Sequence, residues 1–253
     1  MESGFPKLIS NVKLIVNGIG NMKKAWDKAS PRLFQLLLPE TWENIDKQVQ
    51  HTSCIWASYG WVPLVPEASI VEMLSIPEAP SSQSEADSIM TDKIANVGEA
   101  KLFSTLQSSA ERQHLNSVTL NDSIKCYEND SYTACALCLF ALIDERTIVA
   151  QPFPDNNKYR DLASKASRDV LKNNVLNRYI FFVNTAQKII DQMFMSADDF
   201  KKENNLNRNF LSHGMNRLIP DKIDCLKLFV LLYVVYVSYE SKLFSCSGKV
   251  VNV

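Results

Sequence analysis

Apolar residues recur three and four positions apart through much of this chain, and the alternation that marks strands is missing from its second half. The pattern is clearest over 175–194, where Leu176, Tyr179, Val183, Ala186, Ile190 and Phe194 share one helical face. A last long helix is predicted over about 219–244, with Pro220 and Asp221 near its start. Its stretch 228–237 is the most apolar in the chain, yet well short of the ~20 residues that span a bilayer. It therefore reads as a buried helix of a bundle, and no membrane association is expected. Residues 121–129 and 132–149 form a predicted helix pair broken near Asn129 and Asp130. Every residue from 134 to 143 is apolar, the pattern of a helix buried on all sides. Over 158–172, Leu162, Ala166 and Val170 fall on one face.

The first 76 residues carry weaker helical patterns. Ser30 and Pro31 look like a helix start. Residues 40–58 place Trp42, Ile45, Val49, Ile55 and Trp56 at helical spacing. A turn rich in aromatics follows around Gly60 and Trp61, and then a short helix over 67–74. From Pro77 to Glu85 the composition shifts to proline, serine and acid, which is linker chemistry. The expected organisation is an all-α chain: a helical region over 1–76, a linker or long surface loop over 77–95, and an antiparallel helical bundle over 96–253.

Composition narrows the classes. With 27 Lys+Arg against 28 Asp+Glu, the net charge of -1 argues against coating nucleic acid through bulk positive charge, but leaves room for a small basic site. Only 7 glycines in 253 residues disfavour a turn-rich β fold. Of the 6 cysteines, Cys126, Cys135, Cys138 and Cys225 lie in or beside apolar runs. They read as buried free thiols of a reducing compartment. The Cys135–Cys138 spacing has neither a second pair nor a nearby histidine, so no metal site is expected. The N-terminus lacks the pattern of a signal peptide, which makes the cytoplasm the expected location. Trp26, Trp42, Trp56 and Trp61 read as core packing. No glycine-rich phosphate loop or G-x-S-x-G elbow occurs, which sets aside P-loop nucleotide hydrolysis.

Candidate chemistry gathers in one polar stretch between two strong helices. It contains Arg208, Asn209 and His213 and is followed by Gly214. A guanidinium can hold phosphoryl oxygens with a fork of donors. An imidazole moves a proton near neutral pH. Five residues apart on a helix means about 140° of rotation, so the two side chains do not share a face of one continuous helix. Either Arg208 sits at a helix cap or curls along the helix, or a two-fold dimer brings two copies of the motif to one cleft.

The run Arg208-Asn209-Phe210-Leu211-Ser212-His213 resembles the R-x4-6-H signature of the HEPN superfamily, small all-helical and often dimeric bundles. The polar residue after the arginine and the glycine after the histidine fit the likeness, which covers roughly residues 100–245. The resemblance implies a metal-independent endoribonuclease of a toxin–antitoxin or phage-defence system, needing no cofactor. Its substrate would be RNA, and its partners a second copy of the chain and an antitoxin protein. By that likeness Arg208 stabilises charge on the phosphoryl oxygens, His213 moves the proton, and Asn209 orients His213 or the phosphate. Asp144 or Glu145 would support the site, and Arg217 and Lys222 would touch RNA phosphates. Two other readings stay open: a non-catalytic bundle that binds RNA or protein at the same cleft, and a structural dimerisation domain with both motif side chains bonded to backbone.

Overall fold

The computed structural model of the chain describes residues 42–68, 72, 76–149, 179–194, 206–214 and 219–240. Every regular element among them is a helix, and no strand occurs among these residues. In order they are α1 (Trp42–Ser58), α2 (Gln83–Val97), α3 (Glu99–Arg112), α4 (Ser117–Glu128), α5 (Tyr132–Asp144), α6 (Tyr179–Met193), α7 (Arg208–Ser212) and α8 (Lys222–Glu240). A π-helical turn (Glu145–Val149) continues α5. The chain divides into two compact units between Gln48 and Val49, and the packing below belongs to the second. The predicted helix start at Ser30, the helix over 158–172, Arg217, and most of the short helix over 67–74 lie outside the described residues.

The centre of the second unit is α8. Its residues from Leu228 to Tyr236 are all buried, as a helix apolar on every side requires. Helices α3, α5 and α6 and the π-helical turn pack around it. The start of α8 is fixed by a reciprocal cap: the Asp224 N–H donates to Asp221 Oδ1 at 2.9 Å, and the Asp221 N–H to Asp224 Oδ2 at 3.3 Å. Helices α4 and α5 form a tight hairpin. Asp130 turns the chain at φ +55°, a left-handed conformation that a short polar side chain tolerates. Phe103 of α3, Tyr127 of α4 and Phe229 of α8 meet as a ring cluster, with centroids 4.8–5.6 Å apart.

Two expectations are corrected here. The stretch read as linker or loop contains α2, whose N-cap is built from the same serines and acid that suggested a linker. Ser82 Oγ accepts the Glu85 N–H at 3.2 Å, and Glu85 Oε2 accepts the Ser81 N–H at 2.6 Å. Ala86, Met90 and Ile94 then form a buried stripe at helical spacing. The second correction concerns α5, which is not buried on all sides. Cys135, Ala136, Leu139, Phe140, Leu142 and Ile143 are buried, whereas Ala134, Leu137 and Ala141 form an exposed stripe. Helices α4 and α8 pack along α5 and α7 against its end, which leaves this stripe uncovered.

The turn between α1 and α2 is anchored by indoles. Trp56 Nε1 donates to the Glu78 carbonyl at 3.0 Å, and Trp61 Nε1 to Asp87 Oδ1 at 2.7 Å. Both rings are buried, as a core role requires. Lys227 of α8 closes the cluster, 3.3 Å from Asp87 Oδ1 and 5.7 Å above the Trp61 ring. Gly60 makes the approach possible: its φ is +76°, and a Cβ there would lie 3.3 Å from Lys227 Cδ. Gly60→Ala is therefore expected to lower stability by ~1–2 kcal/mol, read as a lower midpoint of urea unfolding at unchanged slope.

Candidate active site

The motif predicted to carry chemistry occupies a single helical turn. Arg208 is the first residue of α7 and His213 follows its last. Arg208 is thus the first helical residue and not the cap, and it is His213 that stands outside the helix. Asn207 caps the turn, its Oδ1 accepting the Asn209 N–H at 3.0 Å. Its other amide atom, Nδ2, donates to the Gln192 carbonyl near the end of α6 at 3.4 Å. Leu206 and Leu211 are buried on either side and tie the turn to the core. The turn ends where Gly214 adopts φ +66° and its N–H donates to the Leu211 carbonyl at 3.1 Å.

Arg208 reaches the C-terminal end of α5. Its Nη2 lies 3.0 Å from Asp144 Oδ2, with Arg208 44% and Asp144 16% exposed, so the carboxylate is the sheltered partner. Nη1 donates to Asn209 Oδ1 at 3.2 Å. Burial pushes the Asp144 carboxyl above the usual carboxylate range, and the Arg208 guanidinium beside it pulls it part of the way back. Of the two acids expected to support the motif, Asp144 thus meets the arginine rather than the histidine. Asn209 likewise orients Arg208 with its side chain, while its carbonyl accepts the His213 N–H at 3.1 Å.

A cleft of about 350 Å³ opens here, lined by Leu137, Phe140, Ala141, Asp144, Glu145, Arg208 and Ser212. Its floor is the exposed stripe of α5, and its polar rim is the end of α5 and the start of α7. His213 is exposed at the far end of the same turn. Beneath the rim the π-helical turn places Arg146 in the interior, where Nη2 donates to Gln113 Oε1 at 2.5 Å. Gln113 Nε2 in turn donates to the Tyr236 carbonyl of α8 at 3.1 Å. The end of α5 that carries Asp144 is thereby braced against the central helix.

Lys222, expected beside the motif as a phosphate contact, lies elsewhere. It pairs with Glu99 Oε1 at 3.0 Å and sits 5.5 Å over the Tyr127 ring, in a second cavity lined also by Glu128, Asp130 and Tyr132. Tyr132 starts α5 and Asp144 ends it, about 18 Å apart along the helix at 1.5 Å per residue. Sequence proximity to Arg208 did not translate into proximity in space, and three carboxylates around Lys222 oppose a phosphate there.

Among the described residues no group of three or more His, Cys, Asp or Glu is arranged to hold a metal ion, and no helix is long and apolar enough to cross a membrane. Cys135 and Cys225 are buried free thiols, Cys126 and Cys138 are partly buried, and Cys54 is exposed. No family model, curated protein or solved structure matches the chain.

Proposed function

We propose that the chain is a HEPN-like endoribonuclease, an antiparallel helical bundle that cuts RNA by internal transesterification without a metal ion or other cofactor. The ribose 2′-OH attacks the adjacent phosphorus as its proton passes to His213, or to the same residue of a second copy. Arg208 holds the phosphoryl oxygens as negative charge develops on them. The P–O5′ bond breaks and the leaving oxygen takes a proton, giving a 2′,3′-cyclic phosphate and a 5′-hydroxyl. The observation that carries the reading is Arg208 itself: a part-exposed guanidinium at the rim of an open cleft, steered by Asp144 and Asn209, with an exposed imidazole at the far end of the same turn. The exposed apolar stripe beside the cleft supports a homodimer. In this reading the chain acts in the cytoplasm as a toxin or phage-defence effector, with an antitoxin protein as its natural partner.

One observation favours a second reading, a non-catalytic bundle that binds RNA or a protein at this cleft. Arg208 already has an internal carboxylate at 3.0 Å, which offsets part of its charge. The two readings separate on products. The full chain is expected to cleave single-stranded RNA in the presence of EDTA, to leave cyclic-phosphate ends, and to spare a 2′-deoxy strand, which lacks the nucleophile. Binding of RNA with no cleavage would select the second reading.

A further inference from the structure

We propose that Asn207 is a positioning residue: its buried carboxamide joins the end of α6 to the first turn of α7 and so sets where the Arg208 guanidinium stands at the cleft. The side chain is 0% exposed and uses both ends of its amide. A helix leaves its first N–H groups and last carbonyls without partners. Asn207 serves one of each, accepting from the Asn209 N–H at 3.0 Å and donating to the Gln192 carbonyl at 3.4 Å. Only one orientation of the amide does both, because a carbonyl needs a donor and an N–H an acceptor. Its own carbonyl also accepts the Leu211 N–H at 3.0 Å, so Asn207 holds the first turn of α7 through both its side chain and its backbone. Arg208 is the next residue, and Asn209, which Asn207 caps, is the one whose Oδ1 holds Arg208 Nη1. Loss of the carboxamide frees the turn that aims the guanidinium at Asp144.

The catalytic arm of this proposal rests on the ribonuclease reading, while the geometric arm does not. The test is a carboxyl ¹³C titration of Asp144 in the full chain, because burial raises that carboxyl and the neighbouring Arg208 offsets part of the rise. In Asn207→Ala the midpoint is expected to rise toward its position in Arg208→Ala. In Asn207→Ser, which keeps an acceptor for the Asn209 N–H but loses the donor to the Gln192 carbonyl, it is expected to lie between the wild-type and alanine positions. A midpoint in Asn207→Ala identical to wild type overturns the proposal, as does a serine variant that titrates as wild type does, since the link to α6 would then be dispensable. Should Asn207→Ala fail to fold, Asn207→Gly takes its place, since glycine is tolerated at a helix cap. In the cleavage assay Asn207→Ala is expected to lose about 10- to 100-fold in kcat with KM within about twofold, and the serine variant to recover only part of it. Unchanged kcat in a variant whose Asp144 midpoint has moved overturns the catalytic arm. A wild-type chain that cuts no RNA removes the ribonuclease reading, and the titration then decides the role of Asn207 by itself.

Discussion

Replacing His213 with alanine is expected to lower the rate of RNA cleavage by about 10²- to 10⁴-fold, the usual contribution of a positioned general acid or base. The melting curve should stay where it is. His213 is exposed, and its backbone N–H donates to the Asn209 carbonyl, a bond that alanine retains. An exposed substitution of this kind costs less than about 0.5 kcal/mol. Loss of activity with unchanged stability therefore reports chemistry and not folding. Arg208→Ala is expected to cost about 10²- to 10³-fold in kcat, the loss typical of one donor to a developing oxyanion. Its effect on stability is less clean, because it leaves Asp144, only 16% exposed, without its cation. The double variant Arg208→Ala with Asp144→Asn removes that charge and should restore stability without restoring activity. Arg208→Lys should stay impaired, since an ammonium cannot serve Asp144, Asn209 and a phosphate with a planar fork of donors. Cleavage by His213→Ala at more than about a tenth of the wild-type rate would leave the proposed proton transfer without its agent.

The parts of this architecture that can be read from the sequence are those set by local pattern. The run through Leu228 and Tyr236 is apolar all round and lies where such a helix must, at the centre. The same rule failed for α5, because residues 134–143 look the same in sequence while Ala134, Leu137 and Ala141 face outward. Apolarity specifies what can be buried, and the number of neighbours decides what is. Helix α2 carried a usable signal that composition masked: Ser82 with Glu85 three residues later is a capping pair ahead of the Ala86, Met90 and Ile94 stripe. At the site, the sequence pointed to Arg208 and His213 through their spacing. Their supports come from other elements. Asp144 lies 64 positions before Arg208 and meets it only because α7 packs against the end of α5. Asn207 stands beside the motif in plain view, but its partner Gln192 belongs to α6, and no spacing rule links the two. Lys222 shows the converse error, a residue near in sequence and a helix length away in space.

Trp61→Ala is expected to cost about 3–5 kcal/mol, the largest stability effect of any substitution considered, because three separate interactions end together. The indole is 0% exposed, so its removal leaves a large cavity beneath the turn that joins α1 to α2. Its Nε1–H also donates to Asp87 Oδ1 at 2.7 Å, and the Lys227 ammonium stands 5.7 Å above its ring. Lys227 and Asp87 are themselves largely sheltered, at 12% and 21% exposed, so water replaces the indole poorly around them. Trp61→Phe separates the contributions. It keeps much of the volume and a ring for Lys227, loses the donor, and leaves Asp87 with Lys227 and with Gln83 Nε2 at 2.8 Å. The expected cost of the phenylalanine variant is about 1–2 kcal/mol, near that of one hydrogen bond to a charged group. Urea unfolding followed by far-UV circular dichroism distinguishes the two, since it does not depend on the fluorophore being removed. For a chain whose total stability falls in the usual range of about 5–15 kcal/mol, the alanine variant should be substantially unfolded well before wild type. A loss below about 1 kcal/mol would mean that the turn is held by contacts other than this indole, and that α2 is not anchored to α8 through Asp87 and Lys227.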